Sequence, residues 1–342
     1  MLKRVTFILA ALSLTLLLAG CAKMSDPASG PSESICFEAG SLLLNDDVTK
    51  ADIKEGNSFA NGDAFSVFGM RNSGSTQSLV FDDVTVTNYS GTWKYSPTRS
   101  WSWSSTTDYY DFVAVYPSGN SARMDISGDL AVSTDFDLST DNYDLLTATY
   151  RRKGSVQSPN AIVDLAFSHV TSAVKVVVIN NSESTAVSVD SVSFKNLMVV
   201  GAAKSTLDFY GNGLNSWINL ERSSSTVRES NYGSSVAAGD RYECAYDFMI
   251  PQQLDQAVGS GSDEANMPRL LLTYTPEGGS QSTADICLKN IPRQDDTAIT
   301  SWEMGVKYVY YVSMRLDGGL LVSIVTTAWD EVEAETPGLL IP

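Results

Sequence analysis

The sequence is poor in the residues that most enzymatic sites need. His169 is the one histidine among 342 residues, which excludes a metal site built on two histidines and the H-E-x-x-H zinc motif. A Ser-His-Asp triad would have to use His169, and the chain has no G-x-S-x-G nucleophile elbow. Glycine motifs that bind phosphates or dinucleotides are missing as well. These absences predict a protein with no catalytic residue, no metal and no cofactor.

Cysteine and positive charge are also scarce. There are four cysteines and no C-x-x-C pair, and Cys36, Cys244 and Cys287 each lie among strand-like residues that predict burial. A disulfide between Cys244 and Cys287 stays open, because spacing along the chain does not place two sulfur atoms. The chain has 23 Lys and Arg against 40 Asp and Glu, a net charge of −17. This charge argues against binding nucleic acid or anionic lipid by electrostatic attraction.

The N-terminus carries a targeting signal. Lys3 and Arg4 precede an uncharged apolar run, which is followed by Leu18-Ala19-Gly20-Cys21. This arrangement resembles a bacterial lipoprotein signal, in which residues 1–20 are removed and Cys21 is acylated and anchors the protein to the outer membrane. An ordinary secretory signal with an unrelated cysteine is the alternative. Residues 21–34 are rich in Ser and Pro and predict a flexible tether.

The periodicity of the remaining chain predicts an all-β protein. Short apolar runs alternate with Gly, Asn, Asp and Ser, and no amphipathic helix of more than about three turns is indicated. The clearest hairpin joins KYVYYVSMRL to LLVSIVTTAW through Asp317-Gly318-Gly319. The polar segment 150–159 predicts a boundary between a β-sandwich domain at 35–158 and another at 159–342. Residues 215–240 form a second polar stretch and predict a long loop within the C-terminal half.

Residues 93–117 form an unusually aromatic segment, WKYSPTRSWSWSSTTDYYDFVAVYP. Trp93 and Tyr95 are two positions apart, as are Trp101 and Trp103, which predicts a hairpin with one aromatic face. The following run is apolar on both faces and predicts a buried strand. We therefore interpret the segment as core, with an exposed platform for stacking sugars as the alternative.

Several short motifs, in this order behind a lipoprotein signal, resemble the fimbrillin family of Bacteroidota. They cover nearly all of the chain after the tether: GDAFSVFG at 62–69, Val86-Thr87-Asn88 with Gly91, Trp93, Tyr95 and Pro97, then Trp101, Tyr110-Asp111-Phe112, Tyr116-Pro117, 144–148, 165–175, MIPQQL at 249–254, Tyr308-x-Tyr310-x-Val312 and Trp329.

The resemblance implies two transthyretin-like β-sandwich domains in tandem that serve as a subunit of a type V pilus, or fimbrium. It implies other pilus subunits as partners, anchoring in the outer membrane or incorporation into an extracellular fimbrium, and adhesion to host or bacterial surfaces. It also implies that His169 is a structural residue. The rival interpretations are a surface lipoprotein that binds glycans through Trp93, Trp101 and Trp103, and a hydrolase with two catalytic carboxylates.

Family members assemble by strand exchange, after a protease removes a first strand that fills a groove of the precursor. The candidate first strand here is Ile35-Cys36-Phe37-Glu38-Ala39, and a polar loop follows it. Many family members are cut after an arginine, whereas this chain has Thr49-Lys50-Ala51 and no arginine between Cys21 and Arg71. We predict processing between Lys50 and Ala51. A subunit that is never cut and stays anchored is the alternative.

Two further segments leave alternatives open. The acidic run DFDLSTDNYD at 135–144 offers oxygen ligands for Ca²⁺, but it lacks the EF-hand spacing and glycine, so a solvated loop is the preferred interpretation. The tail at 331–342 has an apolar end that suits either a donor strand or a terminal strand of its own domain.

Overall fold

The computed structural model describes residues 34–39, 59–125, 128–154, 162–259, 263–289, 291–292, 298–315 and 319–328. Strands dominate these residues, and their one helical segment is a 3-10 turn at Glu264–Asn266. The all-β prediction is confirmed. No helix among the described residues has the length and apolar character to cross a membrane. The candidate residues Cys21, Lys50 and Ala51 lie outside the described residues.

The strands are β1 (Phe37–Ala39), β2 (Ala64–Ser73), β3 (Thr76–Tyr89), β4 (Thr92–Lys94), β5 (Tyr109–Tyr116), β6 (Ala122–Asp125), β7 (Leu130–Asp137), β8 (Leu146–Lys153), β9 (Val163–Leu165), β10 (Ser168–His169), β11 (Ser172–Asn180), β12 (Val187–Leu207), β13 (Gly213–Val236), β14 (Arg241–Glu243), β15 (Asp247–Met249), β16 (Gln252–Gln253), β17 (Arg269–Pro276), β18 (Ser282–Cys287), β19 (Ser301–Trp302), β20 (Val306–Arg315) and β21 (Gly319–Ala328).

The first sheet is antiparallel and has the order β10-β8-β5-β2-β3-β4. Its central strand β5 is apolar on both faces, as the sequence predicts. Phe112 and Ala114 face an aromatic core on one side of the sheet. Val113 and Val115 face a larger core on the other side. Both faces are buried because the two-stranded layer β1-β9 covers one, while strands of another sheet cover the other.

The hairpin of β12 and β13 is the longest feature of the fold. Residues 187–195 of β12 pair with β17, and residues 200–207 pair with β7 on the same edge. The other edge of β12 pairs with β13 over almost its whole length. The first half of β12 thus belongs to the sheet that faces β11 and β20, and its second half packs near β5 and β8.

The prediction of a long loop at 215–240 is wrong, because most of this segment is strand β13. Most β13 side chains are exposed or half-buried, and β13 pairs with β12 alone among the described strands. A strand at a sheet edge needs no buried face, so its hydrogen bonds leave no apolar alternation in the sequence. The register between β12 and β13 also shifts at five places, which further interrupts any two-residue alternation in the sequence of β13.

The third main sheet has the order β14-β11-β20-β21, and β15 also pairs with β11. All nine residues of β11 are buried, and β11 runs parallel to β20. The predicted final hairpin is confirmed as β20 and β21. Tyr308, Tyr310, Val312 and Met314 fall on one face of β20 and join the large core.

Two large apolar cores result among the described residues, and a cluster of four buried residues lies on the other face of β11 and β20. The smaller one lies between the first sheet and the β1-β9 layer and is rich in aromatic rings. The larger one joins the inner faces of all three main sheets. Strands β6 and β7 precede residue 158, yet they pair in the sheet of β12. The division into domains at residue 158 stays a prediction.

A substitution in β12 tests how much of the fold depends on this strand. Phe194 is fully buried in the large core and lies 6.1 Å from Trp302 between ring centroids. We expect Phe194→Ala to lower the free energy of unfolding by about 3–5 kcal/mol, because it leaves a cavity. Urea unfolding followed by tryptophan fluorescence measures the change. Leu214→Ala is the control, since Leu214 is 58% exposed; equal losses in both variants would contradict the prediction.

Candidate functional site: the first-strand groove

Strand β1 is a short strand at the edge of the aromatic core. It pairs in parallel with β9 over three residues, and the Val163 amide donates to the Cys36 carbonyl at 2.7 Å. On its other side the Ile35 amide donates to the Arg99 carbonyl at 2.8 Å. An isolated bridge joins Ser34 to Ser100. The loop before β5 thus serves as the second wall of a groove that holds residues 34–39.

The side chains of β1 fill pockets in the aromatic core. Ile35 is 0% exposed and Phe37 is 2% exposed, whereas Glu38 points to solvent. The Phe37 ring meets Phe81 and Phe112 edge to face, with centroids 5.3 and 5.7 Å away. Burying each such apolar side chain is worth about 1.5–3 kcal/mol. Side-chain burial therefore contributes more to the seating of β1 than its short ladder does.

Tyr95 lies in the loop before β5, residues 95–108, which we call the wall loop, and it connects this loop to the groove. Its hydroxyl donates to the Ile35 carbonyl at 2.6 Å and accepts from the Arg99 amide at 3.1 Å. Burial raises the pKa of Tyr95, so the hydroxyl keeps its proton and remains a donor. The Arg99 guanidinium donates to the Val80 carbonyl at 3.2 Å and ties the loop to β3. The Tyr95 hydroxyl is therefore already oriented to donate a hydrogen bond to a strand that lies in the groove.

A polar network that sequence reasoning missed shapes the rest of the wall loop. The buried Asp108 carboxylate accepts from the Ser104 amide at 2.7 Å and from the Arg71 guanidinium at 2.9 Å. These two contacts hold the pKa of Asp108 well below its usual range. The motif Ser104-Ser105-x-x-Asp108, with serines that bond to an aspartate a few residues later, is the only signal the sequence offered.

The aromatic segment is core rather than platform. Trp93 and Trp101 are 5% and 7% exposed, and Trp103 is half-buried. Trp101 and Trp103 stack with centroids 5.3 Å apart, but residues 101–108 form no strand, so the predicted aromatic hairpin is wrong. The Tyr110 hydroxyl binds both backbone groups of Ser102 and holds this segment as a loop. Two of the three rings on which the glycan-binding alternative was based, those of Trp93 and Trp101, are therefore not available to stack on a sugar.

His169 has a structural environment. Its Nδ1 lies 2.8 Å from the Asp144 carboxylate, and the Thr171 hydroxyl donates to the same group at 3.4 Å. Both His169 and Asp144 are nearly buried. The pair joins β10 to the segment before β8, close to where β10 and β8 pair.

The acidic run at 135–144, which the sequence suggests as a source of calcium ligands, is held in place by internal hydrogen bonds. The Asp137 carboxylate accepts from the Ser139 amide at 2.8 Å, and Asp141 accepts from the Asp137 amide at 2.8 Å. The Arg228 guanidinium donates to the Asp141 and Phe248 carbonyls, so a cationic side chain already occupies this region. In the part of the chain that the structure describes, no group of three or more His, Cys, Asp or Glu is placed to hold a metal ion.

Cys244 and Cys287 do not form a disulfide. Both are free thiols, Cys244 buried and Cys287 half-buried. Burial raises the pKa of Cys244 to about 11, so the thiol stays protonated and unreactive.

Comparisons with known proteins decide the family. The sequence profile of the family described as fimbrillin-like matches residues 49–329, most of the chain. The chain belongs to the fimbrillin-like family. A crystal structure of a fimbrial protein from Bacteroides vulgatus is similar over 87% of this chain and 100% of that one, with 15% identity and a TM-score of 0.57. No curated protein matches.

A candidate cell adhesion protein from Bacteroides uniformis aligns over the same shares of both chains, with 18% identity and a TM-score of 0.48. The likeness to the Bacteroides vulgatus protein supports the fold, a β-sandwich fimbrillin fold. Membership in the fimbrillin-like family supports a role as a fimbrial subunit at the cell surface, together with other pilus subunits.

Removing the Phe37 ring tests the seating of β1. We expect Phe37→Ala to cost about 3–5 kcal/mol of stability, because the pocket between Phe81 and Phe112 would be left empty. Hydrogen exchange of residues 34–39 should rise more than that of β20. Glu38→Ala is the matched control on the same strand, since that side chain is exposed. A loss no greater than in the control would show that β1 is held by its backbone instead.

From the buried carboxyl group of Asp247 we predict that the free energy of unfolding depends on pH. It is 8% exposed, it accepts from the Asn142 amide group at 3.1 Å, and burial raises its pKa to about 6. The folded chain thus keeps a proton that the unfolded chain releases near pH 4, so this group adds stability as the pH falls from about 7 to about 4.

Asp247→Asn should remove that contribution, worth about 1–2 kcal/mol between pH 4.5 and 7.5. Urea unfolding of the variant and the parent chain across this pH range measures the difference. Asp135→Asn serves as the control, because Asp135 lies on the surface in an ion pair with Arg123. Parallel stability curves for the parent chain and Asp247→Asn would refute the prediction.

Proposed function

We propose that this protein is a non-enzymatic structural subunit of a type V pilus, exported as a lipoprotein and assembled by donor-strand exchange to support cell adhesion. The observation that carries the proposal is the seating of β1. Alternate side chains, Ile35 and Phe37, fill core pockets, and the backbone pairs with β9 over three residues and bonds to the loop before β5. A strand seated mainly through its side chains can be replaced by another strand that carries suitable ones.

Loss of β1 would leave an open groove whose apolar pockets and backbone groups favour binding of another strand. The pockets lined by Phe81, Tyr95 and Phe112 would open to water, the Tyr95 hydroxyl would lose the Ile35 carbonyl, and the Arg99 carbonyl would lose the Ile35 amide. A donor strand from another subunit would restore both the apolar burial and the hydrogen bonds. The gain from burying two large side chains is about 3–6 kcal/mol, and the full length of a longer donor would add to it.

Export and anchoring complete the proposal. Acylation of Cys21 would hold the precursor at the outer membrane through the tether at 21–34. Cleavage between Lys50 and Ala51 would then detach residues 21–50, which include both the anchor and β1. One cut would therefore free the subunit and open its groove at the same time. An uncut copy would remain at the membrane as an anchor.

Surface material from cells that express the protein tests the proposal. We expect a ladder of high-mass bands that collapses on boiling, with a mature band that begins at Ala51. Lys50→Gln should abolish the ladder and leave a monomer that still carries acylated Cys21, whereas Lys54→Gln, a lysine four residues further on, should behave like the parent chain. A single acylated monomer band from the parent chain would contradict assembly by strand exchange.

A further inference from the structure

The turn that joins β12 to β13 presents two large apolar side chains to solvent. Phe209 and Tyr210 are 73% and 83% exposed, the highest values among the large hydrophobic side chains of the described residues. Their rings meet edge to face, with centroids 5.5 Å apart. We call these two residues the aromatic tip. Single exposed apolar side chains are common on protein surfaces, but adjacent ones that contact each other are typical of an interaction surface.

The backbone of this turn is held in place by hydrogen bonds. The Asp208 carboxylate accepts from the backbone amide of Asn212 at 2.8 Å and from its side-chain amide at 3.0 Å. The Gly211 amide donates to the Asp208 carbonyl at 2.9 Å, and the φ angle of Gly211 is 90°, which glycine adopts without strain. The Arg151 guanidinium donates to the Phe209 carbonyl at 2.5 Å. Because the turn is already ordered, binding a partner there costs little backbone entropy.

The aromatic tip is fixed to the end of the first sheet at which β5 begins and β8 ends. Arg151, which binds the turn, lies two residues before the end of β8. Its guanidinium also pairs with the Asp111 carboxylate of β5, at 2.6 and 2.9 Å. The turn is therefore tied, through one arginine, to two central strands of this sheet.

One end of the first-strand groove lies at the same end of the sheet. Arg152 follows Arg151 in β8, so its side chain points to the opposite face, where it lies 5.0 Å from the centre of the Trp101 ring of the wall loop. Ser100, beside Trp101, forms the bridge to Ser34. The aromatic tip and the Ser34 end of the groove thus share one end of the first sheet, on opposite faces. A strand that leaves the groove at this end brings the chain it belongs to next to the tip.

Positive charge accumulates at this end of a chain whose net charge is −17. Arg99 of the wall loop, Arg152 and the exposed Lys153 all lie here. The nearby carboxylates of Asp108 and Asp111 are each paired with a further arginine. A second copy of the chain is acidic as a whole, so its charge complements this end of the molecule.

The size of the aromatic tip indicates a partner that is already joined by another contact. Two aromatic side chains bury about 300–500 Å² in all. A stable interface between two proteins buries about 800 Å² on each partner. The tip is therefore too small to hold two free subunits together, but it can strengthen the contact between subunits that a strand already links.

We propose that the aromatic tip packs against a neighbouring copy of this chain when the two are linked by a strand in the groove. The inference rests on the proposed function and adds a second contact to it. The strand joins the two copies, and the rings of Phe209 and Tyr210 bury themselves on the neighbour. The acidic surface of that neighbour lies near Arg152 and Lys153. Two contacts on opposite faces of one sheet fix the orientation of the neighbouring copy, which a single strand would leave free to rotate.

Photocrosslinking in cells that express the full chain tests this contact. The photoreactive amino acid p-benzoylphenylalanine replaces Tyr210, and the surface material is irradiated and then boiled. We expect a dimer band that survives boiling, with mass spectrometry placing the crosslink between residue 210 and a second copy of the chain. The same replacement at Leu321, which is 51% exposed in the third main sheet, is the control and should give no such band.

A pair of substitutions measures what the contact contributes. Phe209→Ser combined with Tyr210→Ser should make the ladder of high-mass bands dissociate at least about tenfold faster at a temperature below boiling, because two aromatic anchors are lost. The melting temperature of the monomer, measured by circular dichroism, should not change, since both side chains are exposed. Leu321→Ser is the matched control and should leave the rate of dissociation as in the parent chain.

The outcomes distinguish this inference from the proposed function. A ladder without a crosslinked dimer at position 210, or with equal dimer yields at positions 210 and 321, overturns the inference and leaves strand exchange standing. A crosslink to lipid or to a different protein assigns the tip to that partner and overturns the inference as well. A ladder that dissociates at the parental rate when both rings are removed also contradicts it. Absence of a ladder in the parent chain contradicts the proposed assembly, and this inference with it.

Discussion

The fold depends on one long strand being shared by two packed layers. β12 pairs with β17 in its first half and with β7 in its second half, and each half faces a different sheet. A strand of 21 residues is far longer than usual, and it persists because β13 pairs with it throughout. Since the large core contains residues from all three main sheets, neither half of β12 can lose its packing without affecting the other.

The first-strand groove rests on this frame. The sheet that forms the floor of the groove is buried on its opposite face against β7 and the end of β12. A floor supported from behind keeps its shape when the small layer of β1 and β9 is disturbed, because close-packed apolar contacts on the far side hold β2, β5 and β8 in place. The chain thus combines a sheet that is packed on both faces with a short first strand that pairs with β9 over three residues.

The sequence pattern predicts those strands whose buried faces are marked by runs of apolar residues. β5, β11 and β20 are runs of apolar residues with clear periods, and each lies where that pattern indicates. β13 was missed because an edge strand has no buried face to mark it. The alternation of Trp101 and Trp103 predicts a strand, but it does not reveal that the Tyr110 hydroxyl bonds to both backbone groups of Ser102. The sequence predicts a first strand at Ile35 to Ala39, but its partners Tyr95 and Arg99 come from a loop with no sequence period to predict them.

The irregular course of β13 has a consequence for the behaviour of the protein in a crowded compartment. A 24-residue strand with an open edge is a template on which any extended chain could pair. Asn219 and Arg228 have positive φ angles, and the register against β12 shifts repeatedly, so the edge bends away from a straight line. An extended segment of another chain could therefore pair with only short stretches of the β13 edge. Aggregation by strand pairing at this edge is thereby disfavoured by geometry.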